Sequence, residues 1–477
     1  MNGQNEFQAL DAFLLKTLVD PAFPAQLAVS GSDYSLSWQA LSYAITEWVI
    51  KYRQLALDPN VPVVLYGHQQ AEFAVALYSC LLHKIPYVPV DCIYPEERLQ
   101  EICTLASAPY YYDIARQAFI PTGLTAQPLQ QHDLAYVMFT SGSTGKPKGV
   151  QIGRESVWHF IQWVGKDFHL PDNPVLMNHA VFSFDLSLIA LLANLAKNGH
   201  ILLNAKENIA AEGWLTGLQS QKVSAWVSTP SFAYQKLLSP QFCSDYLPDL
   251  KVFIFIGEVL NKALVKQLRR RFPKAKIINS YGPTEATVAT TVVEITDAIL
   301  ASDTDLLPIG TMMPDSFMEI TAEGELIIWG KNVMRGYLGL DEENAQKLLT
   351  RENCPWRGYR TGDLGYSTDY LYCSGRNDSQ IKLNGYRIEI SEIENRILNI
   401  SGVQEAVVLP LKKTGGGVLR IAAFCVSRRS SEEIKSELAR VIPPYMIPGQ
   451  IVIQEHLPLN PNGKIDRKLL DAQARVS

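Results

Sequence analysis

An α/β protein of more than one domain is predicted by three features of the chain. Short apolar runs alternate with helical stretches from about residue 61 to 290, closely spaced short strands follow after about 305, and a polar turn at Gly375-Arg376-Asn377-Asp378 precedes a mixed tail. At 477 residues the chain is too long for one core. The expectation is a large N-terminal domain of layered α/β sheets with a small β-barrel-like subdomain, residues 1–377, and a small α+β C-terminal domain, residues 378–477.

The elements follow in order. Residues 36–57 carry apolar side chains at helical intervals, and Val61 to Gly67 is a buried strand ending in a turn. A helix over 71–83, a proline-bearing strand over 85–91 and a helix opened by Pro95-Glu96-Glu97-Arg98 continue the alternation. The rhythm returns with strands around Leu202, over 225–228, 252–256 and at Ile277-Ile278, so the sheet is largely parallel. Phe317–Thr321 and Glu325–Trp329, joined by Ala322-Glu323-Gly324, form a hairpin. The tail carries strands near 405–410 and 420–426 and helices near 391–398 and 431–441.

Composition excludes several classes. Hydrophobic residues make up 47% and charged residues 19%, and the net charge is −5. A pI near 6.0 gives no reason to expect nucleic acid or an anionic membrane as partner. The start lacks the order of a signal peptide and no run of 18 apolar residues occurs, so membrane insertion is not expected and a cytoplasmic location is. Seven scattered cysteines without a C-x-x-C pair support neither a disulfide framework nor a zinc site, and most are expected to be buried.

The chemistry concentrates in a few segments. Val137 to Val150 runs from a strand into Thr140-Ser141-Gly142-Ser143-Thr144-Gly145-Lys146-Pro147-Lys148, a loop of hydroxyls, glycines and lysines able to wrap a polyphosphate. It is not a Walker loop, because position 140 is Thr and Lys146 is followed by Pro147. In Phe182-Ser183-Phe184-Asp185-Leu186-Ser187, a carboxylate among apolar residues needs either a helix N-terminus to cap or a ligand ammonium. Asn279-Ser280-Tyr281-Gly282-Pro283-Thr284-Glu285 offers an aromatic face for a base, a hydroxyl for a phosphate and a hard oxygen for Mg2+. Asp363, in Thr361-Gly362-Asp363, suits two vicinal hydroxyls, although Thr-Gly-Asp is also an ordinary turn. Asn460-Pro461-Asn462-Gly463-Lys464 sets a lysine at the tip of a turn, where a solvated basic tail is the plain alternative.

These segments, with Tyr87-Val88-Pro89-Val90-Asp91 and Tyr94-Pro95-Glu96-Glu97-Arg98, resemble the adenylate-forming superfamily in the right order over residues 87–468. Phrases such as Ser228-Thr229-Pro230-Ser231-Phe232 and Gly257-Glu258-Val259-Leu260 look most like its stand-alone D-alanine:carrier-protein ligases. The resemblance implies ATP contacts from Thr140 to Gly145, Lys148, Gly257, Glu258, Asn279 to Thr284, Asp363, Cys373, Arg376 and Lys464. It implies Mg2+ on Glu285, adenine on Tyr281, ribose on Asp363, a hinge at Asp378 and Lys464 as catalytic lysine.

For the substrate, the resemblance gives Asp185 the α-amino group, as in amino-acid activators, and places Leu186, Val227, Ile256, Gly282 and Val288 around it with Lys464 on the carboxylate. No second charge appears, so a small uncharged amino acid is expected: alanine of either hand, glycine, serine, proline or a β-amino acid. Ile256 replaces the cysteine tied to D-alanine preference, which leaves chirality open. The implied reaction makes aminoacyl-AMP and passes the aminoacyl group to the phosphopantetheine thiol of a separate carrier protein, since the chain ends at Ser477 without room for a fused one. A mobile C-terminal domain would bring Gly385 beside the pantetheine. The alternatives are an acyl- or aryl-CoA synthetase, disfavoured by Asp185, and a non-catalytic scaffold, disfavoured by Thr284, Glu285, Asp363 and Lys464 together.

Overall fold

The computed structural model describes residues 3–142, 146–204, 209–210, 213–378, 380–412, 418–458 and 465–476. The chain forms two compact units. One holds residues 1–91, 103–138 and 149–377; the other holds 92–102, 139–148 and 378–477.

The first unit contains two large sheets. In the nine-stranded sheet, Leu27–Ser30, His200–Leu203, Val175–Asn178, Ala225–Ser228, Val252–Phe255 and Lys276–Tyr281 run parallel, with antiparallel strands at both edges. The central strands are buried on both faces, as their uninterrupted apolar sequences require. Helices Ala71–His83 and Leu186–Lys197 are buried almost all round, the state of a helix enclosed between layers. Two of their polar groups are bonded inside these layers: Ser79 Oγ donates to the Val75 carbonyl at 2.8 Å, and Asn194 Nδ2 to the Ala28 carbonyl at 3.1 Å.

The seven-stranded sheet includes Val63–Gly67, Tyr87–Asp91 and Leu134–Thr140. Proline in an interior strand removes a ladder donor. Here Tyr87–Asp91 pairs along its whole length with Val63–Gly67 but meets Leu134–Thr140 only at Tyr87 and Tyr136, so Pro89 interrupts little. A five-stranded antiparallel sheet follows, in which Ser316–Ile320 and Glu325–Gly330 form the hairpin, and Gly324, at φ +85°, supplies the left-handed turn.

The second unit has its own core. The antiparallel strands Val403–Lys412 and Val418–Ser427 carry Gln450–Gln454 alongside, and the helices Ile390–Leu398 and Ser431–Val441 bury Ile393, Ile397, Ile434 and Leu438. Ser430 and Glu433 close a reciprocal capping box at the start of Ser431–Val441.

One expectation is overturned. Cys80, Cys103 and Cys425 are buried, but Cys243, Cys354 and Cys373 are half-buried and Cys92 is exposed. The reason is placement: Cys92 lies in the turn after Tyr87–Asp91, and Cys373 is on a strand at the margin of its sheet that meets a second segment at Leu371, before the cysteine. No helix among the described residues is long and apolar enough to cross a membrane.

Candidate functional site

In the first unit the candidate residues collect where the parallel strands end, the side of an open α/β sheet on which ligands bind. Asp185 follows the strand ending at Asn178, Ile256 to Glu258 follow Phe255, and Gly282 to Glu285 follow Tyr281. Neighbouring strands hold Val227 opposite both Asn178 and Ile254. Leu186, Ile189, Val227, Ile256 and Val288 are all buried in one apolar cluster with Tyr281.

Asp185 is 6% exposed and occupies the position just before helix Leu186–Lys197, yet its side chain makes no capping hydrogen bond. The helix-cap alternative is thereby overturned. Its backbone is already αR, at φ −63° and ψ −20°, rather than in the extended conformation of a capping residue. The carboxylate acts electrostatically on Tyr136, whose phenol burial pushes well above its ordinary value.

Tyr281 and Asp363 form the second group. The Tyr281 phenol donates to Asp363 Oδ2 at 2.6 Å, and Arg376 holds Oδ1 at 2.6 Å while also donating to the Thr361 carbonyl at 3.1 Å. Burial, and then the Asp363 carboxylate, push the Tyr281 phenol well above its ordinary value, so it stays a donor. Asn279 and Ser280 point elsewhere. Asn279 donates to the Pro308 carbonyl at 2.7 Å and Ser280 to the Thr291 carbonyl at 2.7 Å, so both side chains tie this strand to its surroundings. Cys373 Sγ lies 3.9 Å from the Gly375 carbonyl, and Glu258 accepts from the Ser231 N–H at 3.0 Å, beneath Gly257 at φ +90°.

The turn from Gly282 to Thr290 is tightly packed. A Cβ on Gly282 would fall 2.6 Å from Ala289 Cα, so no other residue fits. Thr287 and Val288 both have positive φ, +55° and +69°. For β-branched residues this is strain on the order of 1–3 kcal/mol each, sustained only when the surroundings impose it. Glu285 is 2% exposed and its Oε1 accepts from the Tyr337 phenol at 2.7 Å. A buried carboxylate oriented by a phenol hydrogen bond fits a hard divalent cation bound with substrate phosphates.

The second unit carries the hydroxyl-rich loop. Ser141 Oγ donates to the Arg387 carbonyl and accepts from the Glu389 N–H, both at 3.0 Å, and the Gly142 N–H donates to Glu392 Oε2 at 3.1 Å. Gly142 is obligatory, since a Cβ would sit 2.0 Å from the Lys146 carbonyl. Arg98, 5% exposed, joins Glu392 and Glu101 at 3.0 Å each. Tyr386 stacks on Tyr445 at 3.8 Å, and Tyr445 in turn meets the Tyr94 hydroxyl at 3.2 Å. Thr140 ends a strand and Lys148 begins the next. Asp378 accepts from the Gln380 N–H at 3.2 Å, and Asn384 and Gly385, at φ +51° and +86°, form the two-residue turn of a hairpin. Ser143, Thr144, Gly145 and Lys464 lie outside the described residues.

Sequence reasoning missed Tyr337, Asn332, Arg98 and Glu392. Tyr337 is 52 positions from Glu285, and Glu392 is 294 from Arg98, so no local spacing signals either pair.

Residues 107–338 match the AMP-binding enzyme family and residues 392–464 the AMP-binding enzyme C-terminal domain. The chain is 35% identical to the D-alanine--D-alanyl carrier protein ligase of Bacillus velezensis, over 98% of this chain and 99% of that protein. It is 34% identical to the ligase of the same name from Bacillus licheniformis, over 95% and 97%. Among solved structures, the Vibrio cholerae adenylation domain AlmE in complex with glycyl-adenosine-5'-phosphate has the same fold, with a TM-score of 0.82 at 20% identity, over 100% of this chain and 99% of that one.

Proposed function

The chain belongs to the AMP-binding enzyme family, and from that premise we propose that it activates a small amino acid of alanine size, D-alanine first among them, with ATP and Mg2+. The product is aminoacyl-AMP with release of pyrophosphate, followed by transfer of the aminoacyl group to the phosphopantetheine thiol of a separate carrier protein. The observation that carries this reading is Asp185, a buried carboxylate in an apolar cluster that does not cap its own helix. An ammonium is the cation such a group accepts from a ligand. The D-alanine assignment draws on the carrier-protein ligases at about a third identity. Ile256 and Val288, both branched and buried in the same cluster, favour a short side chain.

The chain's own residues have defined tasks in the adenylation step. Asp185 orients the amino group, so the carboxylate faces the α-phosphate and attack becomes effectively unimolecular. Asp363 accepts from ribose hydroxyls, Tyr281 presents its ring to the base, and Thr284 donates to a phosphate. Glu285 would hold Mg2+, which, when bound, stabilises charge on the phosphates. Lys464 supplies a second positive charge to the same oxygens. A hinge at Asp378, between an adenylation core and a C-terminal lid carrying Lys464 and Gly385, is supported by the unit boundary between residues 377 and 378. A reaction fed by ATP and a free amino acid belongs in the cytoplasm.

Amino-acid-dependent exchange of labelled pyrophosphate into ATP tests the reading across D- and L-amino acids. Exchange with D-alanine or a similar-sized amino acid is expected, and Asp185→Ala is expected to lower kcat/KM about 100-fold or more, by leaving the ammonium without its counter-charge. Exchange supported only by acids lacking an amine would overturn it.

A further inference from the structure

The mostly buried segment that leaves the antiparallel sheet at Gly330 and joins the seven-stranded sheet at Gly336 and Tyr337 grips the turn that carries both Glu285 and Val288. Asn332 has no exposed surface. Its Nδ2 donates to the Ala286 carbonyl and to Thr290 Oγ1, both at 3.1 Å, and its own carbonyl accepts from the Thr287 hydroxyl at 2.7 Å. The three bonds bracket Thr287 and Val288, the two β-branched residues in the left-handed region. Nothing intrinsic to Thr or Val favours that conformation, so it persists because its surroundings impose it. The space is prepared as well: a Cβ on Gly330 would lie 2.4 Å from Asn332 Oδ1. Two residues on, the Met334 N–H donates to the Glu285 carbonyl at 2.8 Å. Tyr337 then donates to Glu285 Oε1 at 2.7 Å, backed by the Tyr359 hydroxyl at 3.2 Å.

We propose that Asn332 and Tyr337 are positioning residues with separate tasks. Asn332 holds Val288 as the wall of the amino-acid pocket, and Tyr337 aims Glu285 at the divalent cation. The proposal rests on the activity reading above for the identity of pocket and cation. It follows from the directions of the bonds. Asn332 touches only the backbone and hydroxyls around Val288, whereas the Tyr337 phenol touches the metal carboxylate itself. Removing the amide releases the strained pair and widens the pocket. Removing the phenol leaves the pocket as it was and frees the carboxylate to rotate.

The experiment is a crossed comparison on the full-length protein. Binding of Mn2+ with α,β-methylene-ATP is read by electron paramagnetic resonance, and amino-acid KM and size preference by pyrophosphate exchange. Tyr337→Phe is expected to weaken Mn2+ binding about 10-fold, the usual effect of losing a bond to a metal ligand, with amino-acid KM unchanged. Asn332→Ala is expected to raise KM for the preferred amino acid about 10-fold and to narrow its advantage over amino acids one or two carbons larger, with Mn2+ binding unchanged. Thr287→Val, which removes one of the three bonds at constant shape, is expected to shift KM in the same direction by less, and serves if Asn332→Ala does not fold. A general structural role would move both readouts together, in step with a lowered Tm, and that result overturns the proposal, as does the absence of either shift. A wild-type protein without amino-acid-dependent exchange overturns the activity reading and the Asn332 assignment with it. The Mn2+ arm contains no amino acid, so it judges Tyr337 separately.

Discussion

Glu285 and Glu392 are both buried carboxylates at the edge of a loop, and they differ in what they face. Glu392, with no exposed surface, meets the Arg98 guanidinium at 3.0 Å and the Gly142 N–H at 3.1 Å. Glu285, 2% exposed, is aimed by the neutral phenol of Tyr337 at 2.7 Å. A guanidinium cancels the carboxylate's charge, so the group becomes part of the structure and braces residues 92–102 and 139–142 against the C-terminal fold. A phenol orients a carboxylate, as the outer partner of a metal ligand does. On the activity proposed above, the Arg98 pairing makes Glu392 part of the structure and the Tyr337 hydrogen bond orients Glu285 for its cation.

Three measurements would break or sharpen this contrast. The largest effect belongs to Arg98→Ala, which strands Glu392 as a buried charge. It should cost about 3–5 kcal/mol of stability, read by urea unfolding; a loss below about 1 kcal/mol would mean that Glu392 is not held by charge pairing. Next comes Glu285→Gln, which keeps the acceptor for Tyr337 but discards the charge. Exchange activity should fall about 1,000-fold with Tm nearly unchanged, and a variant that unfolds as readily as Arg98→Ala would place Glu285 on the structural side.

The smallest effect concerns a third buried group, a histidine bonded to a neutral hydroxyl. His200 lies 2.8 Å from the Ser30 hydroxyl, and burial pulls its imidazole down to about 4. A depressed folded value means that its stabilising contribution is full above the unfolded value near 6.5 and is lost as pH falls through about 4. The wild type should lose up to about 3 kcal/mol from this group in that window. His200→Gln should flatten this part of the profile; an unchanged slope would show that the imidazole does not control it.

Much of the fold was legible in the chain itself. The helix expected over 71–83 is Ala71–His83, and the helix expected over 431–441 is Ser431–Val441. Both carry local signals, an apolar run of helical length in the first and a Ser-x-x-Glu capping box in the second. The candidate motifs were legible for a similar reason. Tyr281 to Glu285 and Thr361 to Asp363 are contiguous, and contiguous residues keep their spacing in any fold. What stayed hidden was pairing at long range. Arg98 belongs to a segment that carries the family resemblance, but its counter-charge lies 294 residues away.

Sequence alone determined the class of chemistry, because Asp185, Tyr281 to Glu285 and Asp363 are each recognisable from a few adjacent residues whose functional groups do not depend on what surrounds them. The tertiary structure decided how those groups are set. It showed that Asp185 does not cap its helix, that Asp363 is shared between Tyr281 and Arg376, and that Thr287 and Val288 are held in a conformation their own chemistry disfavours. The physical reason is that functional groups are local properties of residues. Burial, charge pairing and imposed backbone strain exist only once distant segments have been brought into contact.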